Sequence, residues 1–591
     1  MTIQKTNNNI ILVFGLLIVF VAGLIRFWHL DMDPPVSLGL HFISDEGWWS
    51  HNARNKILFG QWKLDEFNQG LLVSPTYCYA TYIAFKVFGV GLASARIVPA
   101  ISGFLSVLLF GMILKQKKIP DYIILMSMLF LGFSFGFVTL NRIAYVDSTA
   151  FLFILSAWWF LENRRYGSWK IILAGIASGL ALVTKSYVLT LLPIFIILLF
   201  VRAVSRKTSI IQILSHCVLF SIGVGIVGII WYIAVYIPNS VEYKIMYYLW
   251  KDGNVPGSIR QAVRNIPAFF FQKRSDGVYL SRFVLLNFPL FILLWYRCIQ
   301  LSGRDKGSIK NALRQIPFFE KEAFIWLFML IMCIAPLTAK PFRRYIFLYP
   351  PLILIAVSTI TATTRTLSSS KTTMSFKFIR TFIWVIFPIL LLTPFVSRNL
   401  FPISENLSIN KFQIHSSQTI SSQFIISIAV VSLIFLLLSF LPRPRISVKT
   451  SNRSLFILVL FLLFNGLFLW NMFSYSTDSM KQTSKELGNQ YFKPGTIVLG
   501  GIADTLCLEN KARAIAIWGR EEAERVLNEN PVERFNPDYL LILISIDGIP
   551  WGAEDRYLRY ADKNNFIKEI RLLPLPDGNH RVISQLYSLK P

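Results

Sequence analysis

The sequence predicts an α-helical polytopic membrane protein: about thirteen transmembrane helices, interfacial helices in the first outer loop, and a small C-terminal α/β extracytoplasmic domain. Three observations carry that expectation. Hydrophobic residues make up 54% of the 591 positions and charged residues only 15%, with 50 Phe, so most of the chain cannot sit in water as an ordinary globule. The apolar residues gather in runs long enough to cross ~30 Å of hydrocarbon. After residue 474 the pattern changes to short strand-like runs separated by turn signals.

The elements follow in order. Ile10 to Trp28 lacks a small-residue cleavage site and reads as a retained span. Further spans are expected near 93–114, 121–139, 145–161, 170–185, 187–203, 211–237, 281–297, 323–339, 345–362, 378–397, 423–441 and 454–473. Residues 75–90 are apolar but short, open with Pro75 and carry Lys86. If this segment lies in the interface, six basic groups, from Lys115/Lys117/Lys118 to Arg443–Arg453, fall on the cytoplasmic side with the N-terminus. Residues 29–92 then form the first outer loop, and the domains divide as 1–474, transmembrane, and 475–591, soluble and extracytoplasmic. In the latter, strands are expected at Thr496–Leu499, Tyr539–Ile546 and Arg581–Tyr587, with a polar helix near Arg520–Asn528.

The net charge of +27 would suggest nucleic acid in a soluble protein. Here many basic residues sit in short gaps between apolar runs, so topology and the headgroups of a lipid bilayer explain them, and no nucleic-acid partner is expected. Five scattered Cys (78, 217, 298, 333, 507) form no CxxC pair and predict neither a disulfide framework nor a metal site. Gly223-Val-Gly-Ile-Val-Gly228 matches GxGxxG but lies inside an apolar run, where small residues let membrane helices approach; Gly175–Gly179 has the same explanation.

Ionisable residues at the outer ends of spans are the candidates for chemistry, because burial beside lipid is expensive. They are Asp45 and Glu46 in the first outer loop, Asp147 at the start of the fourth span, Lys185 at the end of the fifth, and Lys340, Arg343 and Arg344 between the ninth and tenth. Each has a plainer role open to it: a solvated surface pair for the first two, a helix N-cap for Asp147, and basic side chains that snorkel to headgroups. Together, two carboxylates and a basic cluster suit moving a sugar from a lipid phosphate to a hydroxyl, with a carboxylate taking the acceptor proton and cations holding the departing phosphate.

The run from Asp45-Glu46-Gly-Trp-Trp through Ala53-Arg54 to Gly60-Gln-Trp62 resembles the first-loop signature of C-type glycosyltransferases that use polyprenyl-phosphate sugars, the branch of protein O-mannosyltransferases and lipid A aminoarabinose transferases. Phe88-Gly89 with Ala95-Arg96-Ile-Val-Pro99, Arg142-Ile-Ala-Tyr-Val-Asp147, Gly179–Lys185, and Arg344-Tyr345 with Pro350-Pro351 follow in that family's order over about the first 360 residues. The resemblance implies Asp45 as the acceptor-activating base, Glu46 shaping the pocket, and Asp147 supporting the sugar or the base. It further implies Lys185, Arg344 and Tyr345 near the donor phosphate. Where members often carry Lys-Pro, this chain reads Val73-Ser74-Pro75-Thr76, so either another cation serves, from Arg142, Lys273, Arg274 and Arg282, or the donor binds differently.

The expected partners are a polyprenyl-phosphate sugar donor and a lipid, glycan or protein acceptor. No cofactor is expected: Lys and Arg neutralise a single phosphate, though Asp45, Glu46 and Asp147 would suit a divalent metal if they converge. With no C-terminal retrieval signal, the bacterial plasma (inner) membrane is the expected location. The competing reading is a polytopic transporter or lipid-linked-sugar flippase, which would favour inverted repeats with interrupted helices; the sequence shows none.

Overall fold

The computed structural model describes residues 2–34, 42–65, 67–162, 167–205, 209–244, 258, 260–265, 283–284, 287–302, 316–337, 342–362, 451–474, 477–517, 530–546, 549–550, 565–574 and 580–590. The helices run α1 (Thr2–Phe27), α2 (Phe42–Phe59), α3 (Gly70–Val73), α4 (Pro75–Phe88), α5 (Leu92–Gln116), α6 (Asp121–Phe133), α7 (Phe135–Asn141), α8 (Asp147–Glu162), α9 (Ser168–Thr184), α10 (Leu192–Ser205), α11 (Ile210–Trp231), α12 (Phe288–Ser302), α13 (Phe318–Ile334), α14 (Tyr349–Ala362) and α15 (Ser451–Ser474). Tight 3-10 turns at Ser186–Leu191 and Phe342–Leu348 precede α10 and α14.

The described residues do not confirm the expected thirteen spans. Two expected spans, 378–397 and 423–441, lie outside the described residues; of the others, α1, α5, α9 and α15 are longer than expected, while α10 and α14 are shorter. Among the described residues, Leu92–Gln116 and Ile210–Lys244 are long and apolar enough to cross a membrane, with a third span if α6 and α7, bent by 60°, count as one. The shortening has local causes: polar residues and 3-10 turns interrupt the apolar runs, so a single run such as 187–203 becomes a turn followed by a 14-residue helix.

The break between α6 and α7 shows how such an interruption is tolerated. It frees the Phe135 amide, which donates to the Asn465 side chain on α15 at 2.8 Å, while the Ser134 hydroxyl donates to Asn287 at 3.0 Å. In an apolar surround a freed backbone group requires such a partner. Helices α9 and α11 cross where glycine meets glycine: a Cβ on Gly175 would stand 2.9 Å from the Gly223 Cα, and the reverse distance is also 2.9 Å. Helix packing, and not nucleotide binding, is therefore what Gly223 does.

Charge is also buried at the end of α5 and α8 remote from Asp147. Lys117 pairs with Glu162 at 2.8 Å and with Glu322, its side chain 4% exposed. Arg297 meets Glu320 through two bonds of 2.6 and 2.7 Å. These ion pairs tie α5, α8, α12 and α13 together.

Beyond residue 474 come α16 (Ser479–Gln490) and α17 (Ala503–Leu506) with strands β1 (Ile497–Gly500), β2 (Arg513–Ile515), β3 (Tyr539–Ile546), β4 (Ile549–Pro550), β5 (Phe566–Pro574) and β6 (His580–Ser588). The sheet order is β2-β1-β3-β6-β5, with β4 on β3. β1 pairs in parallel with β2 and β3, and the remaining pairings are antiparallel. β1, β3 and β6 occupy the expected positions; β2, β4 and β5 were not anticipated, and the helix expected near Arg520–Asn528 lies outside the described residues.

This tail shares a core with the first loop: Ala53, Leu71, Cys78, Phe85 and Leu92 pack with Met480, Leu487, Val498, Leu506 and Leu541. Asp33 binds the start of α16 through the Ser479 amide at 2.9 Å and the Ser479 hydroxyl at 2.7 Å. Arg54 donates to the carbonyls of Asn510 at 2.9 Å and Ala512 at 2.6 Å.

Candidate functional site

Neighbouring positions on α2 carry two acids with opposite surroundings. Asp45 lies in the first turn, where the helix dipole favours a carboxylate. Glu46 is fully buried and takes both prongs of Arg96 (Nε to Oε1 and Nη2 to Oε2, each 2.6 Å), and its Oε1 also accepts the Ala144 amide at 2.7 Å. Arg96 reaches on to the Leu30 carbonyl at 2.7 Å and to that of Met32. Glu46 is thus a rivet joining α2, α5 and the segment before α8. Asp45, turned ~100° around the helix, keeps its side chain 26% exposed. Its Oδ2 accepts the Tyr145 hydroxyl at 3.0 Å and pairs with Arg343 Nη1.

The second acid comes from the start of α8. Asp147 is fully buried, accepts the Tyr187 hydroxyl at 3.0 Å, and stands 4.0 Å from Lys185 Nζ. Lys185 follows directly on the end of α9, and its ammonium lies 4.5 Å from the centre of the Trp49 ring. The 3-10 turn Phe342–Leu348 supplies two consecutive arginines: the Arg343 guanidinium lies 5.1 Å over Tyr145 and that of Arg344 5.4 Å over Tyr187. Each acid therefore has a tyrosine donating to it and an arginine over that tyrosine.

The two halves meet electrostatically. Arg343 and Lys185 each interact with both Asp45 and Asp147. Burial pulls the Arg343 guanidinium down, but Asp45 and Tyr145 beside it more than offset this, so its proton is held above the ordinary arginine range. Three cations and two carboxylates leave a surplus positive charge, suited to an anion.

Of the other residues singled out in the sequence, Arg142 faces α1: it donates to the carbonyls of Ile25 at 2.6 Å, Arg26 at 3.2 Å and His29 at 2.7 Å, capping the end of that helix. Tyr345 is fully buried, stacks on Phe283 at 5.4 Å and interacts electrostatically with Arg344. At the variant Val73-Ser74-Pro75-Thr76 stretch, Pro75 opens α4 and Thr76 hydrogen-bonds Thr184 at 2.5 Å, next to Lys185. Lys273, Arg274, Arg282 and Lys340 lie outside the described residues. Sequence reasoning missed the pairing of Arg96 with Glu46 and the tyrosines 145 and 187. The signal available was position, since Tyr145 and Tyr187 each stand two residues from a singled-out charge, Asp147 and Lys185. Among the described residues, no group of three His, Cys, Asp or Glu is placed to hold a metal ion.

A partly exposed acid and a buried one lie beside a cationic cluster, an arrangement suited to an anion. Residues 72–245 match the family of dolichyl-phosphate-mannose-protein mannosyltransferases. ArnT from Cupriavidus metallidurans in the apo state has the same fold, with a TM-score of 0.56 and 15% identity over 99% of this chain and 98% of that one. The same protein bound to undecaprenyl phosphate gives a TM-score of 0.53 and 14% identity over 98% of each chain. Among curated proteins none matches. The resemblance to C-type glycosyltransferases is borne out by the family match and the shared fold together.

Proposed function

We propose that this chain is an integral-membrane glycosyltransferase that moves a sugar from a polyprenyl-phosphate donor to a hydroxyl of a lipid, glycan or protein acceptor, on the extracytoplasmic face of a bacterial plasma membrane. The observation that carries the reading is the pairing of the partly exposed Asp45 with a cluster of Lys185, Arg343 and Arg344. Asp45 is the general base. As the acceptor oxygen bonds to the anomeric carbon, its proton passes to Asp45; the bond from that carbon to the phosphate oxygen breaks, and the electron pair leaves on polyprenyl phosphate. The phosphate gains a negative charge in that step. Cations already in place stabilise the growing charge without reorganising at the moment of reaction.

Asp147 orients Lys185 and Tyr187, and Glu46 fixes the helix that presents Asp45. Arg142 is not placed in the proposed phosphate set, because its Nη1 and Nη2 donate to the carbonyls of Ile25, Arg26 and His29. No divalent metal is proposed. A transporter fits less well, since these charges stand at helix ends and not midway along them.

The test is turnover by purified protein supplied with a lipid-phosphate sugar. Asp45→Asn retains the fold and loses roughly 10²- to 10⁴-fold in transfer rate, the usual contribution of a general base. Unchanged turnover rejects the assignment.

A further inference from the structure

In the arrangement it adopts, Asp45 has one of its two carboxylate oxygens taken up by donors of the protein itself. Its Oδ2 is shared between the Tyr145 hydroxyl and Arg343 Nη1, so this oxygen faces an arginine and not an acceptor hydroxyl. A phosphate offers the guanidinium a better partner, with several oxygens able to take both prongs of the fork. Arg344 and Lys185 are beside it to share the anion.

We propose that Arg343 is a gate on the base: without donor it ion-pairs with Asp45 and masks it, and the donor phosphate draws the guanidinium away, freeing Asp45 only once a sugar is in place. This rests on the glycosyltransferase reading above and adds an order to it, donor binding before acceptor activation. The exchange also resets the site. When polyprenyl phosphate leaves, the proton taken from the acceptor passes to solvent and Arg343 returns to Asp45. Arg343 is a positioning residue for the base and a ligand for the donor in turn.

The experiment measures the affinity of undecaprenyl phosphate for the purified full chain in detergent, comparing the unaltered protein with Asp45→Asn, Arg343→Gln and the double variant. Asp45→Asn removes the partner that Arg343 must leave, and tightens binding about tenfold; Arg343→Gln weakens it about tenfold. In the Arg343→Gln background, Asp45→Asn no longer tightens binding, because the two side chains act through one contact.

If Asp45→Asn binds no more tightly than the unaltered protein, the gate is wrong while the donor reading stands. Equal tightening in both backgrounds overturns it too, since that is the signature of simple charge repulsion by Asp45. If the unaltered chain does not bind undecaprenyl phosphate at all, the donor reading falls and the gate with it. Should Arg343→Gln not fold, Arg343→Lys keeps a charge without the fork, and is expected to weaken binding by a smaller factor and to reduce the Asp45→Asn effect in proportion.

Discussion

At the scale of single residues, adjacent acids differ through what surrounds them. Glu46 has both oxygens held by Arg96 in a dry setting, whereas Asp45 keeps a face toward solvent. Removing one partner of such a buried pair strands the other charge, at a cost of roughly 3–5 kcal/mol. Arg96→Met is therefore expected to lower thermal stability in detergent by about that amount, with activity lost in step with the folded fraction. A variant that stays stable while losing only turnover would move Glu46 from a structural role to a chemical one. The dipeptide Asp45-Glu46 was legible in the sequence as a feature. Which acid faces substrate was not, because that depends on Arg96, which lies 50 positions on and reaches Glu46 only after α5 packs against α2.

At the scale of elements, α2 is held between the membrane helices and the tail. Gly47 is needed there: a Cβ would stand 2.6 Å from the Asp504 carbonyl carbon of α17. Asp504 is itself buried, and loss of water raises its carboxyl well above the usual range despite the bond it accepts from the Thr505 amide at 2.8 Å. A carboxyl whose pKa is raised on folding supports the fold most fully below its unfolded value of ~4, and that support is lost as pH rises through the folded value. Asp504→Asn should thus raise the melting temperature at pH 7–8, change it little near pH 4, and flatten the profile between them. A parallel shift at every pH would show that burial of this charge is not the cause.

The coarse pattern of helices was legible from apolar runs, but their lengths were not. Hydropathy does not report a turn that forms because Asn465 is on hand to take a freed amide, or because two arginines must be presented side by side before α14. In the tail, β1, β3 and β6 were legible as apolar runs flanked by turn signals. β5 was not, because Phe-Ile-Lys-Glu-Ile-Arg alternates charge with aliphatic residues in a way that also suits a helix.

At the scale of the whole molecule, the tail and the first loop form one buried core, joined through Asp33, Arg54 and the apolar residues around Leu506. Ending the chain at residue 474 uncovers that apolar face and removes the carbonyl partners of Arg54. Such a truncation is expected to aggregate, giving no monodisperse peak on size exclusion in detergent and no transfer activity. A monodisperse, active truncated chain would show that the tail is dispensable to the site.

Composition and periodicity were sufficient by themselves for the class of protein, the position of most helices, and a short list of charges at helix ends, because each of these depends on neighbours in the chain. Only the tertiary structure decided which of those charges meet. Asp45, Tyr145, Asp147, Lys185, Tyr187, Arg343 and Arg344 come from four separated stretches, and Arg142, which resembles them in sequence, turns instead to the carbonyls of α1. Electrostatic pairing acts over a few ångströms of space, and distance along the chain says little about it until the helices are packed.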